Sequence, residues 1–515
     1  MPNKIRVHER ALGHLSRGLY RSPASALREL VSNAWDADAT VVRIDTNYPN
    51  FFQISVEDNG DGFSKAEFER LMEGGIGNSP KRPADATSVH ERPLIGRLGI
   101  GLLGIAQICG AFTISSVPKS GEAFKARVRL WDLLRTRLDA KDQQVVHEDG
   151  AVTIVEIGEY EFEESDVKKQ PGGTRIIADA VHPTFSHAFQ QSLKFEKYQQ
   201  PPLDWGKALR IVSDVRSLQE LGDYWRLLWE LSASCPVPYL SGKALPDGLI
   251  ADDQKQLTQY DFAVFVDGIR LAKPVYLHGN PGGYTTRKIG RQKERVYARD
   301  LVFHGYVLVQ EGTQLHPDEL RGILIRIKNV GIGYYDPSML DYRINEGPRS
   351  RWLTGEILVD EGLEDALNID RDSFNRFHPE YRAVQSYLHK LLQEKIFPRV
   401  YEQIDVRSEE KAKKKKKVRR EQLKKVVAQA TGTAVRLRFE GGVAGAEEAP
   451  RVEVKQSKEG TELVMPEPSS LKTKKAYREL AAAVLSLFET ALRETTRERQ
   501  RETFTRLLLE LLSEW

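Results

Sequence analysis

The stretch ALRELVSNAWDADAT, residues 26–40, decides how the rest of the chain is read. Leu27, Leu30, Val31 and Ala34 recur at helical spacing and predict a helix over 24–38, with Ser22 or Ser25 as its cap and Pro23 at its start. Glu29, Asn33 and Asp36 stand at i, i+4 and i+7, so they share one face while the apolar residues pack the other. A carboxylate, an amide and a second carboxylate in a row suit metal-assisted phosphate chemistry. Mg2+ takes hard oxygen ligands and keeps several waters, and a carboxylate one turn before the amide can accept a proton from an attacking water. An ordinary exposed polar helix face has the same pattern, so this stretch does not stand alone.

Outward from the helix, strand-like runs follow at 40–46 and 51–57, ending in VEDNGDGF at 56–63. Gly60 and Gly62 let the chain turn tightly after Asp58 and leave room for a ligand, although Asn-Gly and Asp-Gly also mark common turns. A carboxylate at Asp58 can accept the exocyclic amino group of an adenine. A second glycine cluster, IGRLGIGLLG at 95–104, opens an apolar helical stretch whose backbone N–H groups could face phosphate oxygens. No clear strand leads into its Gly99, Gly101 and Gly104, and no acidic residue stands about 20 residues later, which argues against a dinucleotide fold; the P-loop pattern is absent. Further strands are expected near 111–116, 125–130, 152–157 and 172–178, giving an α/β sandwich.

Taken in order, these segments resemble the GHKL superfamily: the ninety-kilodalton heat-shock chaperones, MutL-type repair proteins, MORC proteins, type II topoisomerase ATPase domains and histidine kinases. RELVSNAWDA is similar to its first box, DNGDGF to the adenine box, GRLGIGLLG to the phosphate box, and GGTRI at 172–176 to its closing Gly-Thr strand. The resemblance implies ATP and Mg2+ as ligands and a Bergerat-type α/β sandwich over residues 1–180. It makes Glu29 the general base, Asn33 the Mg2+ ligand, Asp36 a supporting polar residue, Asp58 the adenine reader and Thr174 a contact near adenine. Gly60 and Gly62 would admit the base; Gly96, Leu98, Gly99, Ile100 and Gly101 would meet the phosphates. Residues 74–95 read as a lid, in which Lys81 is either a phosphate ligand or a solvated lysine. EDALNIDRDSF at 364–374 resembles the chaperones' middle-domain segment, which makes Arg371 a γ-phosphate contact; a surface Arg paired with Asp370 or Asp372 is the other reading. Only some twenty residues precede the first box, too few to hold a phospho-acceptor helix, so a histidine kinase is disfavoured.

The remainder is less specific. At 515 residues the chain is too long for one core. Residues 181–400 are expected to form a second, transducer-like α/β domain, with the helix DYWRLLWELSAS, strands at 261–267, 303–310 and 322–330, and helical segments at 363–368 and 379–397. Residues 401–470 hold a basic run and connector with short strands at 434–439 and 451–456; 471–515 read as a helical tail and dimerisation element, making the C-terminal region α-rich. Net charge is +3, near balance, so any nucleic-acid contact rests on Lys411–Lys425, for which a solvated helix is the plainer reading. No run of eighteen apolar residues and no signal-peptide core occur, and two cysteines, Cys109 and Cys235, suggest buried thiols. A cytoplasmic, non-membrane ATPase is expected, a conformational switch acting as a clamp or chaperone-like factor on protein partners; a MutL- or MORC-like DNA-associated clamp in repair or defence against foreign DNA, and a non-hydrolysing ATP-binding assembly protein, are the alternatives.

Overall fold

A computed structural model describes residues 2–8, 22–76, 91–95, 104–105, 108–131, 144–146, 153–164, 171–192, 204–240, 250–274, 284–297, 299–311, 314–343, 350–368, 372–402, 409–414, 417–418, 421, 425, 435–440, 453–457 and 460–466. Residues Met1–Val400 form one compact unit and Tyr401–Trp515 another.

The first unit is mixed α/β, built on two sheets. The larger has eleven strands: β1 (Asn3–His8), β2 (Val41–Asp45), β3 (Ile54–Asp58), β4 (Glu73–Ile76), β5 (Ala111–Val117), β6 (Phe124–Leu130), β7 (Gln144–Val146), β8 (Thr153–Phe162), β9 (Gly173–Ala178), β10 (Ala263–Val266) and β11 (Ile269–Arg270). Their order is β11-β10-β2-β3-β9-β5-β6-β8-β1-β4, with β7 paired to β8. In β2 and β6 burial alternates along the strand, as it must when one face is covered and the other wet. On the covered side lie Val42, Ile44, Val56, Phe112, Ile114 and Val128, all buried. The helices are α1 (Pro23–Asp36), α2 (Lys65–Met72), α3 (Pro183–Ser192), α4 (Trp205–Ser213), α5 (Asp223–Ser234), α6 (Ala251–Gln259) and α7 (Pro379–Leu391). Helix α1 packs against α5, which packs in turn on α3.

Two expectations need correcting. The strand expected at 261–267 is β10, and it joins the first sheet, parallel to β2, rather than the second α/β layer. Asp267 explains the docking: its carboxylate accepts from the Thr46 N–H at 2.8 Å, the Thr46 hydroxyl at 2.7 Å and the Tyr224 hydroxyl at 2.9 Å. The helical segment expected at 363–368 is a single 3-10 turn, Glu364–Ala366, because Leu363 is left-handed (φ 67°) and Leu367 is extended.

The second sheet contains β12 (Tyr284–Val296), β13 (Arg299–Gln310), β14 (Gly322–Ile327), β15 (Val330–Asp336) and β16 (Leu353–Glu361), in the order β12-β13-β16-β14-β15. Its inner strands are buried over most of their length, polar residues included; β14 is parallel to β16 and buried throughout. In the second unit β17 (Val435–Glu440), β18 (Glu453–Ser457) and β19 (Gly460–Pro466) make a three-stranded sheet, β19 central, close to the short strands expected there. Lys411, Lys413, Lys414, Lys417 and Lys425 are exposed. The tail at 471–515 lies outside the described residues. Among the described residues no helix is long and apolar enough to cross a membrane.

Candidate functional site

Helix α1 starts where its sequence says it should: the Ser22 side chain accepts the Ser25 N–H at 3.4 Å, with Pro23 in the first turn. Its polar face slopes from core to surface. Glu29 is 4% exposed, Asp36 is part-buried and Asn33 is open to solvent. A plain exposed helix face is therefore not what this pattern encodes. Glu29 Oε1 accepts from Arg28 Nη2 at 3.2 Å, and Arg28 Nη1 donates to Asp372 Oδ1 at 2.6 Å. Burial works against the Arg28 charge, but the Asp372 and Glu29 carboxylates outweigh it and hold the guanidinium pKa above its ordinary value. The segment around 364–374 thus reaches the helix that carries Glu29.

Asp58 closes β3, and its carboxylate accepts the N–H of Gly60 at 2.9 Å and the N–H of Thr174. Burial dominates over these two bonds and pushes its pKa up to about 6. The sequence-distant Asp58 and Thr174 are neighbours because β3 pairs directly with β9. That pairing needs Gly173, at φ 122°, since a Cβ there would sit 2.0 Å from the Asp58 carbonyl oxygen. Gly62 (φ 62°) turns tightly against β5, where a Cβ would meet Ser116 Oγ and the Val117 carbonyl at 2.9 Å. Gly60 lies beside the Ala37 carbonyl, at the C-terminal end of α1. Asn59 faces away, its Oδ1 accepting from the N–H groups of Thr40 and Val41 at 2.8 Å.

The loop leading into the second glycine cluster is fastened to α1. Asp36 Oδ1 accepts the Ile95 N–H at 2.7 Å, and Trp35 Nε1 donates to the Pro93 carbonyl at 3.0 Å. Arg92 is fully buried, donates to the Ala39 carbonyl at 2.6 Å and lies over the Trp35 ring, 5.0 Å from its centroid. From the second sheet, Lys328 Nζ donates to the Leu94 carbonyl at 3.2 Å and sits 3.5 Å from Glu364. Gly96, Leu98, Gly99, Ile100, Gly101, Lys81 and Arg371 lie outside the described residues.

Of the residues singled out from sequence, Glu29, Asn33 and Asp36 share α1, and Asp58, Gly60, Gly62 and Thr174 share the β3–β9 end. Arg28, Arg92 and Lys328 were missed, and Asp372, expected only as a surface partner for Arg371, is buried and bonded to Arg28. None of them carried a local signal that sets it apart from an ordinary charged residue. The donors present fit a nucleotide and a hard cation. Asp58 offers a carboxylate held by two N–H groups, and Asn33 offers an amide oxygen of the kind Mg2+ accepts alongside phosphate oxygens and water.

Residues 20–154 match the family model of histidine kinase-, DNA gyrase B- and HSP90-like ATPases. The chain is 39% identical over 109 residues to a putative type II restriction enzyme, HgiDII, of Herpetosiphon aurantiacus, covering 20% of this chain and 16% of the relative. It is 31% identical over 100 residues to the DNA mismatch repair protein MutL of Colwellia psychrerythraea, covering 19% and 14%. The matched segments thus span less than a fifth of either curated relative. A crystal structure of the N-terminal domain of a DNA repair protein aligns with 76% of this chain and 98% of its own, at 12% identity and a TM-score of 0.37.

Proposed function

We propose that this chain, whose residues 20–154 carry a GHKL-type ATPase domain, binds and hydrolyses ATP and uses the cycle as a conformational switch on DNA. The observation that carries nucleotide binding is the joining of Asp58, Gly60 and Thr174 at one end of β3 and β9. There the Asp58 carboxylate accepts the adenine amino group, and the Thr174 edge borders the same ring. Asn33 would hold Mg2+, which neutralises phosphate charge when bound. Glu29 orients the attacking water and accepts its proton, steadied by Arg28. Gly96, Leu98, Gly99, Ile100 and Gly101 supply backbone N–H groups to the phosphates, and Lys81 and Arg371 close over them.

Support for coupling comes from Arg28–Asp372 and Lys328–Leu94, which tie the second sheet and the 364–374 segment to α1 and to the loop before the glycines. A change of phosphate state at the site is then felt at residues 322–374. Two of the relatives are named for work on DNA, a restriction enzyme and a mismatch repair protein, and this favours DNA over a protein client. The likeness of 364–374 to a chaperone segment favours the client. A division near residue 180, across which β10 and β11 return to the first sheet, a division near 400 and self-association through 471–515 complete the proposal.

The test is phosphate release by wild type, Glu29→Gln and Asp58→Asn, each with and without duplex DNA. The expected result is turnover in wild type alone, raised by DNA. ATP binding without turnover in wild type would remove hydrolysis from the proposal, and turnover indifferent to DNA would return the protein client.

A further inference from the structure

The least expected element of the second sheet is β12, Tyr284–Val296, which has the sequence YTTRKIGRQKERV. It bonds β13 on one side and stands at the end of the sheet order. From Tyr284 to Asp300 the hairpin carries Arg287, Lys288, Arg291, Lys293, Arg295 and Arg299 against Glu294 and Asp300, six cations less two acids, or +4. This excess stands in a chain whose total is only +3.

The cations are phased, not scattered. Arg291, Lys293 and Arg295 fall at alternate residues, so they project from one face of the strand, and Tyr297 continues the row at the turn. Their side chains are 66%, 67% and 70% exposed although Asp360 and Asp300 lie within 4 Å of them, and Arg299 beyond the turn, paired with Asp365, is 63% exposed. Tyr297, at the hairpin tip with a positive φ of 56°, is 85% exposed. Charges on an edge strand also protect it from pairing with another chain. Edge protection requires neither a common face nor an aromatic ring at the tip.

We infer that the β12–β13 hairpin is a duplex DNA contact, an assignment that rests on the DNA reading above. A two-stranded ribbon fits the major groove. Cations at every second residue repeat at roughly 7 Å, close to the spacing of successive phosphates along one strand, so a row of three can follow a backbone. Arg291, Lys293 and Arg295 meet phosphates, and Tyr297 enters the groove or stacks at its rim. The basic run at Lys411–Lys425 has exposed lysines but no aromatic residue among them.

The experiment is fluorescence anisotropy of the full chain with a labelled 30-base-pair duplex across a salt series. It compares wild type, an Arg291→Gln/Lys293→Gln/Arg295→Gln triple variant, Tyr297→Ala, and a control triple variant, Lys413→Gln/Lys414→Gln/Lys417→Gln. Melting temperature and DNA-free phosphate release report folding. The hairpin triple variant is expected to bind about tenfold or more weakly and to lose about three from the slope of log K against log salt, while the control keeps most of both. Tyr297→Ala is expected to weaken binding with the salt slope unchanged. Equal binding by wild type and the hairpin variant would overturn the hairpin and leave the DNA reading standing. Loss in the control alone would move the contact to Lys411–Lys425. No binding by wild type would overturn both, and preference for single-stranded DNA or RNA would overturn the duplex assignment.

Discussion

Arg28 Nη1 donates to Asp372 Oδ1 at 2.6 Å across 344 residues of sequence, and both side chains are only 2% exposed. The same guanidinium holds Glu29, so one buried cation joins the proposed base to the loop beyond β16. Removing one partner of a buried pair strands the other charge and costs about 3–5 kcal/mol, whereas replacing both with apolar groups is often neutral. Asp372→Ala is therefore expected to lower the melting temperature sharply. Arg28→Met/Asp372→Leu removes both members of that pair but also takes the guanidinium from the buried Glu29, so it should restore stability only in part and not turnover, with ATP binding retained. Restored turnover in the double variant would mean the pair is only structural; the measurements are thermal melts, kcat and nucleotide titration.

Asp58 makes the site pH-sensitive in a direction that can be worked out. Its pKa rises from an ordinary 3.8 to about 6, chiefly through burial. Between those values the folded chain binds more protons than the unfolded one, so stability falls as pH rises through the window. The charge proposed to accept an adenine amino group therefore weakens the nucleotide-free fold, by on the order of 3 kcal/mol at most. ATP affinity is expected to drop as pH falls below about 6. Asp58→Asn should flatten the stability slope between pH 4 and 7 and abolish binding at every pH. An unchanged slope in melts of that variant would remove Asp58 as the titrating group.

The parts of the site legible in sequence were those whose chemistry is local. Asp58 with Gly60, and Glu29 with Asn33 and Asp36, sit within one turn or one helix, so residue type and spacing make them candidates, and the resemblance of the ordered motifs is what gives them roles. The joining of Asp58 to Thr174 required β3 to pair with β9, which only the ordered motifs suggested. Arg28, Arg92 and Lys328 could not be read because each is a cation whose partner lies elsewhere in the chain: Asp372, the Ala39 carbonyl, the Leu94 carbonyl. Strand β12 escaped for another reason. An edge strand with a single fully buried residue, Ile289, has no apolar alternation to detect. Residues 363–368 looked helical from composition, but a left-handed Leu363 and an extended Leu367 leave one turn.

His304 supplies a second pH dependence, of opposite origin. Its ring lies 2.8 Å from Asp253 of α6 and 3.5 Å from Asp360 of β16, and bonds to these carboxylates raise its pKa from 6.5 to about 9. A raised histidine pKa contributes stability that is whole below 6.5 and is lost as pH climbs through about 9. The ring is 24% exposed, so about 1–3 kcal/mol is at stake after solvent screening. His304→Ala is expected to melt several degrees below wild type at pH 6 and to converge on it near pH 10. A constant difference across pH would show that packing, not charge, is what His304 contributes.

The second sheet hides a buried polar network whose members are not equivalent. Arg326 grips Glu356 with Nε at 2.7 Å and Nη2 at 2.8 Å, while the Tyr239 and Tyr335 hydroxyls donate to the same carboxylate at 2.7 and 2.6 Å. Close by, Lys273 is fully buried, and its Nζ makes no hydrogen bond among the described residues; it lies 4.8 Å from the Tyr239 ring centroid. Burial, then the Arg326 charge, drives its pKa well below the ordinary lysine value. An amine in that position adds a desolvated donor and little attraction, so Lys273→Met should be neutral or stabilise by about 1–2 kcal/mol. Glu356→Gln leaves Arg326 charged in the core and should cost about 3–5 kcal/mol. Urea unfolding of the two variants orders them. If Lys273→Met proved the more damaging, the amine would have to be holding something other than its own burial cost, and the network would be centred on Lys273 rather than on Glu356.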